Sequence, residues 1–424
     1  MSTLLKSFSK TTALYKMLIA LHNEVQESLY EPLLARLLDP TTRPHVAIGT
    51  HSMLSTVSDA AEKAGLPSLY LVGMPYDPAL AAGLKGTSYL IPRPLVALPH
   101  TSLYPAVAPP GFAGLRQRFF MWLDAWLMKR AVRVSGILDF TAELRARRGL
   151  PPLPSDDTVT LFEASGFPPP NVSVIAMGGP PFISATHPVP PRYTLVGALE
   201  DDTTTGDGLE VEDERLRRWL DRAPSQPTVL LAFGTGVELS EAEASMLAIG
   251  LRELARHGVR MILSLRASEQ KAHLSTFAKT MGEPSWVSEA CSADGAVTAE
   301  YLGGALRVQP RVPQRALLQS GRIQLFLTHC GFGSLAEAFA AGVPMLAYPS
   351  GLDQPFNANR AVEAGAARLA PKGLRGLSDA VVDALADVSL REGAIRARAT
   401  LRRLKGASKA VEAVERAVAE FHGV

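Results

Sequence analysis

Apolar runs of strand length alternate with helical patterns from the first third of the chain onward. Val46–Gly49 and Ser68–Gly73 are predicted to be short buried strands, and Ser52–Ala64 is predicted to be the helix between them. Gly65 follows this helix directly and suits its C-terminal end. A strand, a helix and a second strand in this order predict a βαβ unit of a parallel sheet.

A second α/β pattern begins after Glu200–Gly208, an acidic, turn-rich segment that is typical of a linker. A helix is predicted at Ser240–His257. A predicted strand, Tyr193–Gly197, precedes the linker. The predicted strands after the linker are Thr228–Phe233, Val259–Leu265, Leu306–Gln309, Ile323–Thr328 and Met345–Tyr348. We therefore predict two α/β domains, at 1–198 and 227–424, joined by a linker at 199–226. The pattern leaves open whether the last helix packs back on the first domain.

Composition narrows the class of protein. A chain of 424 residues suits two domains, and 47% hydrophobic with 20% charged residues argues against a disordered chain. A net charge of +2 provides no basic field for nucleic acid. The two cysteines, Cys291 and Cys330, lie far apart, which excludes a disulfide framework or a zinc cluster and fits a reducing, cytoplasmic setting.

Membrane signals are weak. No apolar run approaches the ~18 to 20 residues that a spanning helix needs, and the N-terminus lacks the apolar core of a secretory signal. The segment Phe119–Leu138 mixes aromatic residues with Lys and Arg at helical spacing. Two interpretations stay open for it: a helix that packs within the domain, or peripheral contact with a membrane surface or an apolar ligand.

Polar or glycine-rich loops follow four of the predicted strands in the second domain. They begin at Gly234-Thr235-Gly236, Arg311-Val312-Pro313-Gln314, His329–Gly333 and Ser350–Gln354. If the strands are parallel, all four loops lie at the carboxyl edge of one sheet, where open α/β folds bind ligands.

The loop at His329–Gly333 has two interpretations. Ser334 and Glu337 have the spacing of a capping box, with Ser334 as the N-cap of the next helix. Alternatively, Gly331 and Gly333 let a ligand approach the backbone, and the helix-start amides with His329 bind a phosphate. An isolated histidine here would otherwise be a buried structural residue.

The loop before Pro355 is similarly ambiguous. Asp353 and Gln354 suit ordinary capping of the helix that Pro355 opens. A carboxylate beside an amide is also suited to binding vicinal sugar hydroxyls.

The segment Val308–Gln354 resembles the signature of UDP-dependent glycosyltransferases, whose GT-B fold has two Rossmann-like domains facing across a cleft. The matching residues are Pro313-Gln314, Thr328-His329-Cys330-Gly331, Ser334, Glu337, Gly342-Val343-Pro344-Met345, Pro349 and Asp353-Gln354. The implied nucleotide-binding residues are Gly234, Thr235, Arg311, Val312, Gln314, His329, Gly331, Gly333, Ser334 and Glu337.

The resemblance also implies a role for each group. His329 and Ser334 would bind the diphosphate, Glu337 the ribose, and Gln314 with the backbone near Val312 the nucleoside. Asp353 and Gln354 would bind the donor sugar.

The sequence departs from the family pattern at two positions. Arg311 stands where the family usually has a tryptophan stacked on uracil, and a guanidinium can also stack on a base. Gly333 replaces a common asparagine. The first change leaves the nucleotide preference open.

The implied reaction is transfer of a hexose from a UDP-sugar to a hydroxyl of a small, largely apolar acceptor (a sterol, polyketide or phenolic), with inversion. The chain has no Asp-x-Asp pair, so we predict metal independence, with no metal site and no cofactor besides the UDP-sugar co-substrate.

The first domain does not show the family's opening strand and its catalytic histidine. We therefore expect an incomplete first domain, through truncation or as a natural variant, and the catalytic base stays unknown. His51 is a weak candidate, beside Asp77 and His22. The alternative functions are a catalytically silent sugar-nucleotide-binding protein or partner subunit, and a nucleotide-sugar epimerase.

Overall fold

The computed structural model describes residues 27–50, 56–72, 130, 133–153, 173–178, 181–182, 193–199, 213–234, 238–282, 287–291, 297–350 and 354–423. The chain divides into two compact units. Unit 1 comprises Met1–Glu200 and Leu404–Val424, and unit 2 comprises Asp201–Arg403. Within the described ranges, no helix is both long and apolar enough to cross a bilayer. Most of the segment Phe119–Leu138 lies outside these ranges.

Unit 1 contains a parallel sheet with helices. Its elements are α1 (Glu27–Leu38), β1 (Ala47–Thr50), α2 (Thr56–Ala64), β2 (Ser68–Val72), α3 (Ile137–Arg147), β3 (Ser173–Ala176), β4 (Tyr193–Leu195) and, from the end of the chain, α12 (Gly406–His422). The strands lie in the order β1-β2-β3-β4, and all three pairings are parallel. The predicted βαβ unit is therefore confirmed. Strand β3 has no counterpart among the predicted strands.

The core of unit 1 joins segments that are far apart in sequence. Leu69 of β2, Ile175 of β3 and Val196 after β4 form one buried cluster with Ala413 of α12. Gly406, the first residue of α12, lies against the backbone that follows β4. A Cβ on Gly406 would be 1.9 Å from the carbonyl oxygen of Ala198. The last helix is therefore part of this core.

Unit 2 holds the second sheet. Its elements are α4 (Glu214–Asp221), β5 (Thr228–Ala232), α5 (Glu241–Arg256), β6 (Arg260–Ser264), α6 (Ala267–Met281), β7 (Val287–Cys291), β8 (Val297–Tyr301), β9 (Leu306–Gln309), α7 (Gln314–Gln319), β10 (Leu325–Thr328), α8 (Phe332–Ala341), β11 (Met345–Ala347), α9 (Gln354–Glu363), β12 (Ala367–Leu369), α10 (Leu377–Ala386) and α11 (Val388–Leu404). Short 3₁₀ turns lie at Leu302–Gly304 and Lys372–Leu374.

The sheet of unit 2 is doubly wound, in the order β12-β11-β10-β5-β6-β9-β8-β7. Its pairings from β12 to β9 are parallel, and β8 and β7 add an antiparallel hairpin at one edge. The chain moves from β5 to β6 and β9, then returns to the other side of β5 with β10. The strand order therefore reverses between β5 and β10, which is where open α/β sheets form ligand sites.

The predicted linker at 199–226 differs from the structure. The division between units falls after Glu200, and residues 214–221 form α4 of unit 2. Asp213 caps α4 by accepting from the Leu216 amide, and Trp219 is fully buried with the guanidinium of Arg260 over its ring. The acidic, turn-rich residues before the helix favoured a linker and concealed it.

Candidate functional site

The four polar loops of unit 2 leave one edge of its sheet. The last residues of β10, β5, β6 and β9 are in register, because Thr328 pairs with Ala232, Ala232 with Ser264, and Ser264 with Gln309. Ala347 at the end of β11 pairs with Thr328 on the other side. The prediction that the loops share a carboxyl edge is confirmed.

His329 lies at the point where the strand order reverses, between two glycines. A Cβ added to Gly234, which follows β5, would lie 2.4 Å from Cε1 and Nε2 of the imidazole. A Cβ added to Gly331 would lie 2.5 Å from the same Nε2. Gly234 also has a φ of +71°, which non-glycine residues rarely adopt. Both glycines therefore give the half-buried His329 ring its room.

A left-handed residue forms the turn between His329 and the next helix. Cys330 is fully buried and has a φ of 60°. Its amide donates to Thr328 Oγ1 at 3.2 Å, and its carbonyl oxygen accepts from Asn357 Nδ2 at 2.9 Å. Such a conformation costs a non-glycine residue about 1 to 3 kcal/mol, so the surrounding contacts have to maintain it.

The predicted capping box at Ser334 is wrong. Helix α8 begins at Phe332, its N-cap is Gly331 with φ −56° and ψ 148°, and no side chain caps it. The left-handed turn at Cys330 brings the chain into helical geometry two residues before Ser334. Ser334 is consequently the third helical residue. Gly333 is exposed, and a Cβ there would meet no heavy atom within 4 Å, so the first turn of α8 faces open space.

Gln314 joins the helix starts that follow β9 and β10. Its Nε2 donates to Ser334 Oγ at 3.1 Å and to Glu337 Oε2 at 2.6 Å. Its own amide donates to the carbonyl of Val312 at 2.8 Å, while Arg311 is exposed. The structure therefore brings three of the predicted residues, Gln314, Ser334 and Glu337, into direct contact.

Gln354 fixes the loop after β11. It is buried, and its Oε1 accepts from both the amide and the Oγ of Ser350, each at 2.9 Å. Several other predicted residues lie outside the described ranges, so their roles stay predictions. They are Thr235, Asp353, His51, His22 and Asp77.

A tyrosine–glutamate pair at the same edge was missed by sequence reasoning. The hydroxyl of Tyr348, which follows β11, donates to Glu243 of α5. Burial and this carboxylate raise the pKa of Tyr348 well above 10. Burial acts to raise the pKa of Glu243, but hydrogen bonds from Ser240 and Tyr348 outweigh it and hold that pKa below 4.5. The only available signal was the Ser240-x-x-Glu243 capping box, which the structure contains.

Unit 2 can hold an anion with backbone amides and an imidazole. No side chain caps the N-terminus of α8, a Cβ on Gly333 in its first turn would meet no heavy atom within 4 Å, and such helix ends favour anions. The imidazole of His329 lies beside this helix end, while the carboxylate of Glu337 lies one turn along. Among the residues that the structure describes, no three His, Cys, Asp or Glu side chains converge as metal ligands.

The fold is that of GT-B glycosyltransferases. The structure of a variant of Os79 from O. sativa in complex with UDP aligns with 95% of this chain and 83% of its own, with a TM-score of 0.60 and 18% identity. The glycosyltransferase VinC in complex with DTDP aligns with 97% of this chain and 81% of its own, with a TM-score of 0.58 and 16% identity. At these identities the likeness concerns the fold.

Sequence comparison finds a family resemblance in the C-terminal part of the chain. Residues 292–418 match the family model of UDP-glucoronosyl and UDP-glucosyl transferase. UDP-glycosyltransferase 74C1 of Arabidopsis thaliana is 33% identical over 146 residues, 34% of this chain and 27% of that protein. Hydroquinone glucosyltransferase of Rauvolfia serpentina is 30% identical over 222 residues, 52% of this chain and 45% of that protein. The C-terminal region of the chain, residues 292–418, therefore resembles the UDP-glycosyltransferase family. The matches span less than half the length of these curated relatives.

Proposed function

We propose that the protein transfers a hexose from a UDP-sugar to a hydroxyl of a small, largely apolar acceptor, with inversion and without a metal. The observation that carries this proposal is the arrangement at the strand-order reversal. There, His329 fits between Gly234 and Gly331 beside the open N-terminus of α8, and Gln314 joins Ser334 to Glu337.

The diphosphate of the donor would bind at the start of α8. Backbone amides at a helix N-terminus favour negative charge, and His329 adds a ring nitrogen beside them. As the bond to the sugar breaks, negative charge grows on the departing diphosphate, and groups fixed in advance stabilise it. This supports departure of UDP without a metal, since the protein itself would supply the stabilisation.

The ribose and the donor sugar would bind next to the diphosphate, at different residues. Glu337, whose Oε2 accepts from Gln314 Nε2, would accept from ribose hydroxyls. Gln314 and the backbone near Val312 would face the nucleoside. Gln354 and the adjacent Asp353 would contact the donor sugar. Exposed Arg311 would stack on the base.

Transfer with inversion needs a base that takes the acceptor proton while the acceptor oxygen attacks the anomeric carbon. We assign no residue to this role, and His51 stays a weak candidate. The acceptor class is supported by the names of relatives. One is a hydroquinone glucosyltransferase, and one solved neighbour is an anthocyanidin 3-O-glucosyltransferase. A cytoplasmic setting is part of the proposal and rests on the two distant cysteines.

Binding and turnover test the proposal separately. UDP at 100 times its Kd should raise the melting temperature by roughly 5 to 10 °C. With UDP-glucose and a panel of phenolic and sterol acceptors, UDP should be released and a β-glucoside formed, with and without EDTA. The variant His329→Ala should lose most of both signals.

Each other outcome has a defined meaning. The absence of a thermal shift with UDP, together with an unchanged His329→Ala variant, would refute the nucleotide site. Binding without UDP release would favour the silent sugar-nucleotide-binding protein. Conversion of the donor sugar with no acceptor present would favour an epimerase.

A further inference from the structure

We infer that Asn357 is a positioning residue that holds the phosphate-binding turn in shape from the neighbouring helix α9. The inference rests on the proposed function, because it takes the turn after β10 to bind the diphosphate. Asn357 is fully buried, and its Nδ2 donates to the carbonyl oxygen of Cys330 at 2.9 Å.

The peptide groups on both sides of Cys330 are fixed by different elements. The amide side is held by Thr328 of β10 and the carbonyl side by Asn357 of α9. Cys330 itself has a φ of 60°, a conformation that its own backbone disfavours. The two hydrogen bonds therefore oppose the intrinsic preference of the residue that they flank.

The position of this turn determines both parts of the phosphate site. His329 precedes Cys330 directly, and Gly331 after it is the N-cap of α8. The imidazole lies close to both neighbouring glycines, because a Cβ on Gly234 or Gly331 would lie 2.4 or 2.5 Å from the ring. The clearance around His329 is small enough that the turn needs an external support.

Helix α9 also supports the loop on the other side of the site. Gln354 lies three residues before Asn357, so both side chains leave one face of the helix. Gln354 holds Ser350 in the loop after β11, while Asn357 holds the turn after β10. One buried face of α9 thus fixes the two loops that would bind the sugar and the diphosphate of a single donor. A change at Asn357 should therefore affect the phosphate-dependent part of binding and leave nucleoside binding intact.

The variant Asn357→Asp tests this with little change of shape. It replaces the donor Nδ2 by an oxygen that faces the Cys330 carbonyl oxygen. We expect UDP affinity, measured by calorimetry, to fall about 10-fold or more, as for a lost buried hydrogen bond. Uridine, which lacks both phosphates, should bind as it does to the wild type. Turnover with UDP-glucose should fall in kcat as well as rise in KM.

Two further variants separate positioning from stability. Ala361→Gly loosens α9 at another fully buried position, and it should lower the melting temperature without changing the ratio of UDP to uridine affinity. Thr328→Val removes the other hydrogen bond to Cys330 from a different element. It should reproduce the selective loss of UDP affinity, and it provides the test if Asn357→Asp does not fold.

The outcomes distinguish this inference from the proposed function. If the wild type bound uridine as tightly as UDP, the diphosphate site itself would be refuted. If the wild type preferred UDP, but Asn357→Asp and Thr328→Val weakened UDP and uridine equally or not at all, Asn357 would have no positioning role. A selective loss in Ala361→Gly as large as in Asn357→Asp would also overturn the inference.

Discussion

Gly234→Ala is the variant that most directly tests the arrangement around His329. The added methyl carbon would lie 2.4 Å from Cε1 and Nε2 of the imidazole, whereas ordinary contact between carbon atoms begins near ~3.5 Å. The ring must therefore move by about 1 Å, or the loop after β5 must move instead. The left-handed φ of +71° at this position adds a backbone cost of about 1 to 2 kcal/mol.

These two effects have separate magnitudes. The backbone cost alone should lower the melting temperature by roughly 2 to 8 °C for a unit of this size. Misplacement of a reacting or binding group by about 1 Å can cost about 100-fold in rate. We therefore expect kcat/KM with UDP-glucose to fall about 100-fold, with a weaker UDP affinity as part of that loss.

Two control glycines separate the backbone effect from the collision. Gly258 has a φ of +70°, and a Cβ there would meet no heavy atom within 4 Å. Gly258→Ala should therefore share the loss of stability but keep UDP affinity. Gly331 has a φ of −56°, and its Cβ would lie 2.5 Å from His329 Nε2. Gly331→Ala should lose UDP affinity with no left-handed cost.

The assay combines thermal denaturation, calorimetry with UDP and initial rates of UDP release. The reasoning would be refuted if Gly234→Ala and Gly331→Ala were as stable as Gly258→Ala and bound UDP as tightly as the wild type. In that case, the position of the His329 ring between the two glycines would have no bearing on nucleotide binding.

Two predictions concern stability. Tyr348→Phe removes the hydrogen bond to Glu243 and should cost about 1 kcal/mol near neutral pH, allowing for partial exposure. Because the pKa of Glu243 is held below 4.5, this difference should be present above that pH and vanish as the pH falls through the folded-state pKa; a pH-independent difference in urea titrations would contradict it. Gly393→Ala places a carbon 1.8 Å from the carbonyl oxygen of Gly365, so α11 must move, and unfolding should become easier by about 1 to 3 kcal/mol. An unchanged urea midpoint would show that α11 accommodates the methyl group.

Three strands of unit 2 could be predicted from their apolar runs. Every residue of β5, β9, β10 and β11 is buried; β5, β10 and β11 are mostly apolar, whereas β9 includes the buried polar residues Arg307 and Gln309. The hairpin of β7 and β8 was missed since it lies at the edge of the sheet. Strand β8 alternates buried residues with the partly buried, polar Thr298 and Glu300, so it forms no continuous apolar run. Strand β12 has three residues, too few for any periodicity.

The candidate site was predictable as a set of loops but not as a set of contacts. The loops follow strands, and the order of parallel strands places them at one edge. The pair Tyr348 and Glu243 joins residues 105 positions apart, which no local pattern indicates. The capping-box error at Ser334 has a local cause. The sequence is compatible with a helix that has Ser334 as its N-cap and with one that begins at Phe332. The left-handed turn at Cys330 selects the start at Phe332.

The return of α12 to the core of unit 1 has a consequence for biosynthesis. Ala413 packs against Leu69, Ile175 and Val196, yet all of unit 2 is translated between Val196 and Ala413. During elongation, the apolar side chains of Leu69, Ile175 and Val196 therefore stay uncovered until α12 has left the ribosome. Unit 2 can fold before that point. A premature stop codon shortly before Gly406 would leave unit 2 complete and unit 1 permanently open, a state that chaperones and proteases recognise by its exposed apolar surface.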